Sequence, residues 1–153
     1  MSSSEIKMEN KNLATINETE KWKSLPSMKT PRRWFGATVI GGKIYVAGGR
    51  NRNDGDLSSA EVYDMKANEW SPLPNMNQKR FCCGAVPVNG KVYIIGGYYD
   101  GYRSLSSGEM FDPVTNKWTP IPDMKEARSA CAACAIGNKI YAIGGCNGNK
   151  WVS

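Results

Sequence analysis

Apolar positions along this chain come in short runs punctuated by glycine, without the three-or-four-residue stripe of an amphipathic helix. Phe35 to Ile40 is one such run, Gly41-Gly42 interrupts it, and a second run from Lys43 closes on Gly48-Gly49. Two runs about a two-residue glycine turn predict a β-hairpin. Beyond a polar stretch, Ala60-Glu61-Val62-Tyr63-Asp64 predicts a third strand, and after a short turn Glu69-Trp70-Ser71-Pro72-Leu73 predicts a fourth. These strands are called a, b, c and d below.

The block recurs. Trp22, Trp70 and Trp118 stand 48 residues apart, as do Gly48-Gly49, Gly96-Gly97 and Gly144-Gly145. Tyr45, Tyr93 and Tyr141 keep that spacing, and so do Pro26, Pro74 and Pro122, Met28, Met76 and Met124, and Arg32, Arg80 and Arg128. The a–b turn becomes Asn89-Gly90 in the second copy and Gly137-Asn138 in the third, all residues that tolerate positive φ. A fixed period near 50 residues is the mark of a repeat array.

The text of the repeat is Lys43-Ile-Tyr-Val-Ala-Gly-Gly49, Glu61-Val-Tyr-Asp64 and Trp70-Ser-Pro-Leu-Pro-Asn-Met76. It returns as Lys91-Val-Tyr-Ile-Ile-Gly-Gly97, Glu109-Met-Phe-Asp112 and Trp118 to Met124. This resembles the kelch repeat from roughly residue 12 onward. The resemblance implies an all-β fold of kelch-type β-propeller blades, each a four-stranded antiparallel sheet. Under it, residues 12–26 hold strands c and d of a leading blade, with a degraded strand c at Leu13-Ala-Thr-Ile16. Residues 34–74 and 82–122 are full blades, and residues 130–145 supply strands a and b only.

Three blades' worth of strands falls short of the four to eight with which propellers close. The chain stops at Lys150-Trp151-Val152-Ser153, where the third strand c is expected to begin, so a piece of a longer chain is the first expectation. The alternative is a head-to-tail homodimer in which complementary half-blades complete a six-bladed ring. Residues 1–11 are polar, mix both charges and are expected to be disordered.

Several positions read as structural. Gly36-Ala37, Gly84-Ala85 and Ala132-Ala133 are small, which suits strand a as the strand nearest the propeller axis. Pro87 then belongs on an edge, its missing N–H facing the channel. Gly48, Gly49, Gly96, Gly97, Gly144 and Gly145 fit close backbone approach better than a phosphate cradle, since no helix follows them. Tyr63, Trp70, Phe111 and Trp118, with Trp22, Tyr45, Tyr93 and Tyr141, are expected in blade packing. Glu61 and Glu109 recur as well and read as structural hydrogen-bonders.

Composition narrows the chemistry. Among 153 residues there is no histidine, which removes histidine-based catalysis and most catalytic zinc sites. The five cysteines read as reduced thiols. Cys131 and Cys134 have metal-knuckle spacing, but residues three apart on a strand point to opposite faces, so no metal and no cofactor is expected. No apolar run approaches membrane-spanning length, and the first residues lack the apolar core of a signal peptide, so a soluble, cytoplasmic protein is expected, with the cytoskeleton or nucleus as other locations.

Strand alternation puts the d–a and b–c connections on one side and the tight a–b and c–d turns on the other. The b–c segments, Arg50 to Ser59 and Tyr98 to Ser107, are long, and long loops on a rigid scaffold are where binding residues concentrate. They carry Arg50, Arg52, Tyr98, Tyr99, Tyr102 and Arg103, and the d–a connections add Arg32, Arg33, Trp34, Arg80, Phe81 and Arg128. These are the candidate partner-binding residues. Aromatic and guanidinium groups give contact area and bidentate recognition of carboxylates. With a net charge of +6, the expected partner is a protein segment of acidic or mixed charge. The recurrence of Arg32, Arg80 and Arg128 leaves a second role open for them, bonding to backbone carbonyls of a neighbouring blade.

The resemblance further implies a protein-interaction module. Kelch-like proteins carry BTB and BACK domains and present substrates to a cullin-based ubiquitin ligase, so this chain would be the substrate-recognition part of such an adaptor; other kelch proteins bind actin. Kelch-type enzymes are the rival class, but their copper oxidases use histidine, and Asp54, Asp56 and Asp100 read as isolated acids. Nucleic-acid binding is the third class, disfavoured because Lys and Arg are scattered and the aromatics are not spaced as a stacking platform.

Overall fold

The computed structural model describes Ala14–Thr15 and residues 22–153. The tail at residues 1–11 lies outside the described residues. Within them every regular element is a strand. β1 (Ala14–Thr15) pairs antiparallel with β2 (Lys23–Ser24). The first full unit is β3 (Gly36–Ile40), β4 (Lys43–Ala47), β5 (Arg50–Asn51), β6 (Gly55–Asp56), β7 (Ala60–Asp64) and β8 (Glu69–Leu73). The second repeats it as β9 (Gly84–Val88), β10 (Lys91–Ile95), β11 (Tyr98–Tyr99), β12 (Arg103–Ser104), β13 (Gly108–Asp112) and β14 (Lys117–Ile121). The third supplies β15 (Ala132–Ile136), β16 (Lys139–Ile143), β17 (Cys146–Asn147) and β18 (Lys150–Trp151).

Two four-stranded antiparallel sheets result, β3-β4-β7-β8 and β9-β10-β13-β14, with strand a on one edge. The four-stranded blades expected from the sequence are therefore present. The b–c segments are not plain loops, however: each folds into a small hairpin, β5–β6, β11–β12 and β17–β18. Lys150–Trp151 is accordingly the outer arm of the third such hairpin, pairing with Cys146–Asn147, and not the start of a strand c.

Strands a of successive units lie against one another, β9 touching both β3 and β15. Small residues make this approach possible: a Cβ on Gly36 would stand 3.0 Å from the Ala85 Cβ, and one on Gly84 2.7 Å from the Ala133 Cβ. The turn Asn89-Gly90 has φ of 50° and 72°, the mirror-image turn that suits a two-residue hairpin. It makes Val88 and Lys91 a hydrogen-bonded pair, so Pro87, opposite Val92, turns its nitrogen away from β10 toward the open edge.

Packing lies between units. Tyr45 and Ala47 of one blade and Val92, Ile94 and Phe111 of the next share one buried cluster with Met76 and Cys83. Val46, Tyr63 and Trp70 form another, covered by Leu25 and Met28 of the segment that follows the leading strands. Trp70 and Trp118 each donate an indole N–H backward, to Pro26 O at 2.9 Å and Pro74 O at 2.8 Å. At the two ends of the array the same repeat positions are open, with Trp22 and Tyr141 exposed rather than packed. The glycine doublets join blades through the backbone: Gly49 N donates to Arg80 O and Gly97 N to Arg128 O, both at 2.8 Å. A Cβ on Gly48 or Gly96 would collide with those same carbonyl oxygens.

Candidate functional site

The arginines that recur with the repeat separate from the rest. Arg32 reaches inward, its Nη1 donating to Gly48 O at 2.7 Å and Ser59 O at 2.9 Å, and its Nη2 to Glu61 Oε1 at 2.9 Å. Glu61 completes its shell with the backbone N–H groups of Lys29 and Thr30. Arg80 repeats this with Gly96 O at 2.8 Å, Ser107 O at 2.9 Å and Glu109, and Glu109 accepts from Asn77 N and Gln78 N. Both guanidinium groups are fully buried. Arg32 and Arg80 therefore tie strands b and c to the d–a connection and are withdrawn from the set of partner contacts. Arg128 makes the bond to Gly144 O at 2.9 Å, is half-buried, and has Glu126 in place of a strand-c glutamate.

The residues that break the repeat converge. Trp34, Cys82 and Ala130 share one repeat position and one left-handed conformation, with φ of 57°, 52° and 50°. Each is a strained state for a residue with a Cβ, at a cost of about 1–3 kcal/mol. Hydrogen bonds across units hold it: Cys82 N donates to Trp34 O at 2.6 Å and Ala130 N to Cys82 O at 2.8 Å. In the first unit this turn leaves the Trp34 ring half exposed, with the Arg33 guanidinium 4.5 Å from its centroid.

Beside it lies Phe81, buried at the centre of the aromatic group. Its ring centroid is 5.9 Å from Trp34, 5.5 Å from Tyr98 and 5.4 Å from Tyr102. Backbone bridges build the arrangement, Arg33 opposite Arg50, Phe81 opposite Tyr98 and Ser129 opposite Cys146. The Arg50 guanidinium lies over Phe81 at 5.3 Å and Tyr102 at 5.8 Å, and its Nε is 3.4 Å from Asp56 Oδ1. Phe81 is thus the floor of the shelf and not a contact residue, while Trp34, Tyr99 and Tyr102 form its exposed part. Arg52 and Arg103 are exposed at the hairpins and join no aromatic group.

A cleft beside this shelf is lined by Arg50, Asp56, Lys79, Tyr99, Asp100 and Gly101. Asp56 is not the isolated acid expected from the chain. It stands opposite Arg50 across the β5–β6 hairpin, and its Oδ2 accepts the backbone N–H of Asp100 at 3.2 Å. On the other flank Tyr98 exchanges a 2.7 Å hydrogen bond with the Cys146 thiol, which also meets Ser129 Oγ at 3.3 Å. That bond, with burial, pushes the Tyr98 hydroxyl above its usual pKa, and burial does the same for the thiols of Cys82 and Cys131. These groups stay protonated at neutral pH and offer no thiolate nucleophile. Among the described residues no three Cys, Asp or Glu side chains gather as a metal site, and no helix is long and apolar enough to cross a membrane.

Asp56, Lys79 and Cys146 escape a reading based on aromatics and arginines alone. One signal in the chain does mark them, departure from the period: Arg50, Tyr98 and Cys146 occupy one repeat position, and Asp56 and Ser104 another.

The model of the KLHDC2/KLHL20/DRC7 Kelch-repeats domain matches residues 3–153. The chain belongs to the kelch-repeat family. Kelch-like protein 41a of Danio rerio is 52% identical over 65 residues, covering 42% of this kelch chain and 11% of the relative. An F-box/kelch-repeat protein of Arabidopsis thaliana is 51% identical over 49 residues, covering 31% of the chain and 13% of the relative. The chain therefore spans a small part of the curated kelch proteins it matches. The solved structure of YjhT superposes with a TM-score of 0.76 at 20% identity, over 84% of this chain and 48% of that one, a likeness of fold alone.

Proposed function

We propose that this chain is a protein-interaction module that holds an extended partner segment of acidic or mixed charge on the face formed by its d–a connections and b–c hairpins. The observation that carries the reading is the convergence of Trp34, Arg50, Tyr98 and Tyr102 on buried Phe81, all at positions where the repeat is broken. Residues that obey the repeat, such as Arg80 and Trp70, are spent inside or between blades. Those that depart from it are free of that duty and remain accessible around the shelf. Exposed aromatics above a rigid floor supply anchors at low entropic cost.

The kelch-like resemblance puts the substrate-recognition part of a cullin-ligase adaptor first, with recruitment of the ligase left to domains outside this chain. Binding to actin or another cytoskeletal surface is the second reading, and it would use the same face. Neither needs a catalytic residue or a cofactor here, and a cytoplasmic location suits both. The test is the triple replacement of Tyr99, Tyr102 and Arg103 by Ala. Loss of two anchors at about 2 kcal/mol each weakens partner binding by more than 100-fold. A circular-dichroism melt within a few degrees of wild type would accompany it, because these side chains are exposed. Unchanged affinity would refute the choice of face.

A further inference from the structure

We infer that Thr30, which Pro31 follows, is a phosphorylation site for a proline-directed kinase, and that its phosphoryl group draws Arg32 from Glu61 and loosens the leading segment, residues 22–30, from the first blade. The inference goes beyond the reading of the partner face and does not rest on it. The chain has three Ser-Pro or Thr-Pro pairs. Ser71-Pro72 and Thr119-Pro120 recur at the period and are fixed in β8 and β14, with Ser71 opposite Val62 and Thr119 opposite Met110. Thr30-Pro31 breaks the period, its counterparts being Gln78-Lys79 and Glu126-Ala127, and belongs to no strand.

The local backbone suits the modification. Proline biases the residue before it toward an extended conformation and has no N–H of its own to satisfy, so Thr30 is preset in the form that a kinase cleft accepts. Lys29, Pro31 and Arg33 are exposed and Thr30 is half-buried. Transfer forms a bond from Thr30 Oγ1 to the γ-phosphorus of ATP and breaks the bond from that phosphorus to the β,γ-bridging oxygen. The hydroxyl proton passes to the kinase's carboxylate base, and ADP leaves.

Glu61 decides what the added charge meets. This buried carboxylate holds the segment by accepting Lys29 N at 2.8 Å and Thr30 N at 3.0 Å, and the oxygen that takes Thr30 N also takes Arg32 Nη2 at 2.9 Å. Phosphorylation sets about two negative charges beside that oxygen. Like charges so placed repel, and the planar guanidinium two residues on can bind a phosphate through more than one N–H. Arg32 Nε, buried without a hydrogen-bond partner among the described residues, is a further donor. The third unit shows the rearranged pairing: where the counterpart of Thr30 is an acid, Glu126, Arg128 Nη2 meets it at 3.4 Å while Nη1 keeps Gly144 O. With Arg32 drawn away, Glu61 faces a phosphate and its hold on Lys29 N and Thr30 N weakens. The Trp70 indole on Pro26 O and the cover of Leu25 and Met28 remain, so the segment loosens while the blade keeps its fold.

The probe is a cyclin-dependent kinase with magnesium ATP, acting on the whole chain and, as an unfolded control, on a peptide of residues 25–35, with the site read by fragment mass spectrometry. The chain gains one phosphoryl group, on Thr30, at no less than about a tenth of the peptide's rate. Thr30→Val gains none, and Pro31→Ala is labelled about 10-fold more slowly. In the phosphorylated chain the Lys29 amide exchanges about 10-fold faster or more by NMR, while the amides of β9 and β10 are unmoved. The phosphorus resonance titrates at lower pH than in the phosphopeptide, because the guanidinium favours the doubly ionised form. A chain left unlabelled while the peptide is labelled, or labelled only on Ser71 or Thr119, overturns the site. Label on Thr30 with Lys29 exchanging as before, or with the phosphorus titrating at or above the peptide's pH, overturns the transfer of Arg32 and leaves the site standing.

Discussion

Arg80→Ala and Arg128→Ala remove the same side chain from the same position of the repeat, and the surroundings predict unequal costs. Arg80 is fully buried, donates to Gly96 O and Ser107 O at 2.8 and 2.9 Å, and stands 3.4 Å from Glu109, itself buried. Deleting it strands a buried carboxylate and two carbonyls at once. Breaking one side of a buried ion pair costs about 3–5 kcal/mol, and the lost carbonyl bonds keep the figure in the upper part of that range. Glu109 still holds Asn77 N and Gln78 N, which caps the loss. Arg128 makes one short bond, to Gly144 O at 2.9 Å, and a longer exposed one, to Ser153 O at 3.3 Å, and its glutamate contact is to partly exposed Glu126 at 3.4 Å. One part-buried hydrogen bond, one exposed one and a surface pair come to about 1–2 kcal/mol. Urea unfolding followed by tryptophan fluorescence separates the two, since a difference of about 2–4 kcal/mol moves the midpoint by about 1–2 M. Variants within about 0.5 kcal/mol of each other, below the usual single-site effect, would refute the argument that burial with Glu109 makes the difference.

Glycine positions give a parallel contrast. Gly96→Ala drives a Cβ into Arg128 O at a blade junction and abolishes the cooperative melt, whereas Gly90→Ala meets no atom within 4 Å and costs only left-handed strain, about 1–2 kcal/mol. Calorimetry distinguishes them. In the c–d turns, the Lys43 ammonium, then the N–H groups of Ala67 and Lys66, hold Asp64 down at about 2, so what this carboxylate contributes is complete above the ordinary carboxylate range and is lost as pH falls toward 2. Lys43→Met raises the Asp64 pKa, while Lys91→Met moves Asp112 less because the Val114 N–H is its chief partner; carboxyl carbon titration by NMR reads both. Thiol alkylation at pH 8 labels exposed Cys134 first and Cys83 last, because burial pushes Cys83 up to about 11.

The blades were legible in the chain because their signals are redundant. Glycine turns, apolar runs and the spacing of Trp70 from Trp118 all state the same unit, and the sheets carry it out in register. The small hairpins inside the b–c segments were not, since two-residue strands leave no alternation to read and are held by bonds such as Leu57 N to Gly49 O. Arg32 and Arg80 show a second limit. Residue type recommends an arginine for a surface, but its recurrence at the period pointed inward, and burial beside Glu61 and Glu109 follows the recurrence. Phe81 is buried for the opposite reason, because neighbours that do not recur, Trp34 and Tyr102, close over it. Asp56 was invisible as a partner of Arg50 until the hairpin placed them opposite one another.

The most direct test of the binding face is amide hydrogen exchange of the chain with and without a protein it retains. Protection confined to residues 33–34, 50–56 and 98–104 is the predicted footprint. Protection centred instead on the turns at residues 41–42, 89–90 and 113–116, with the hairpins exchanging as before, would contradict it.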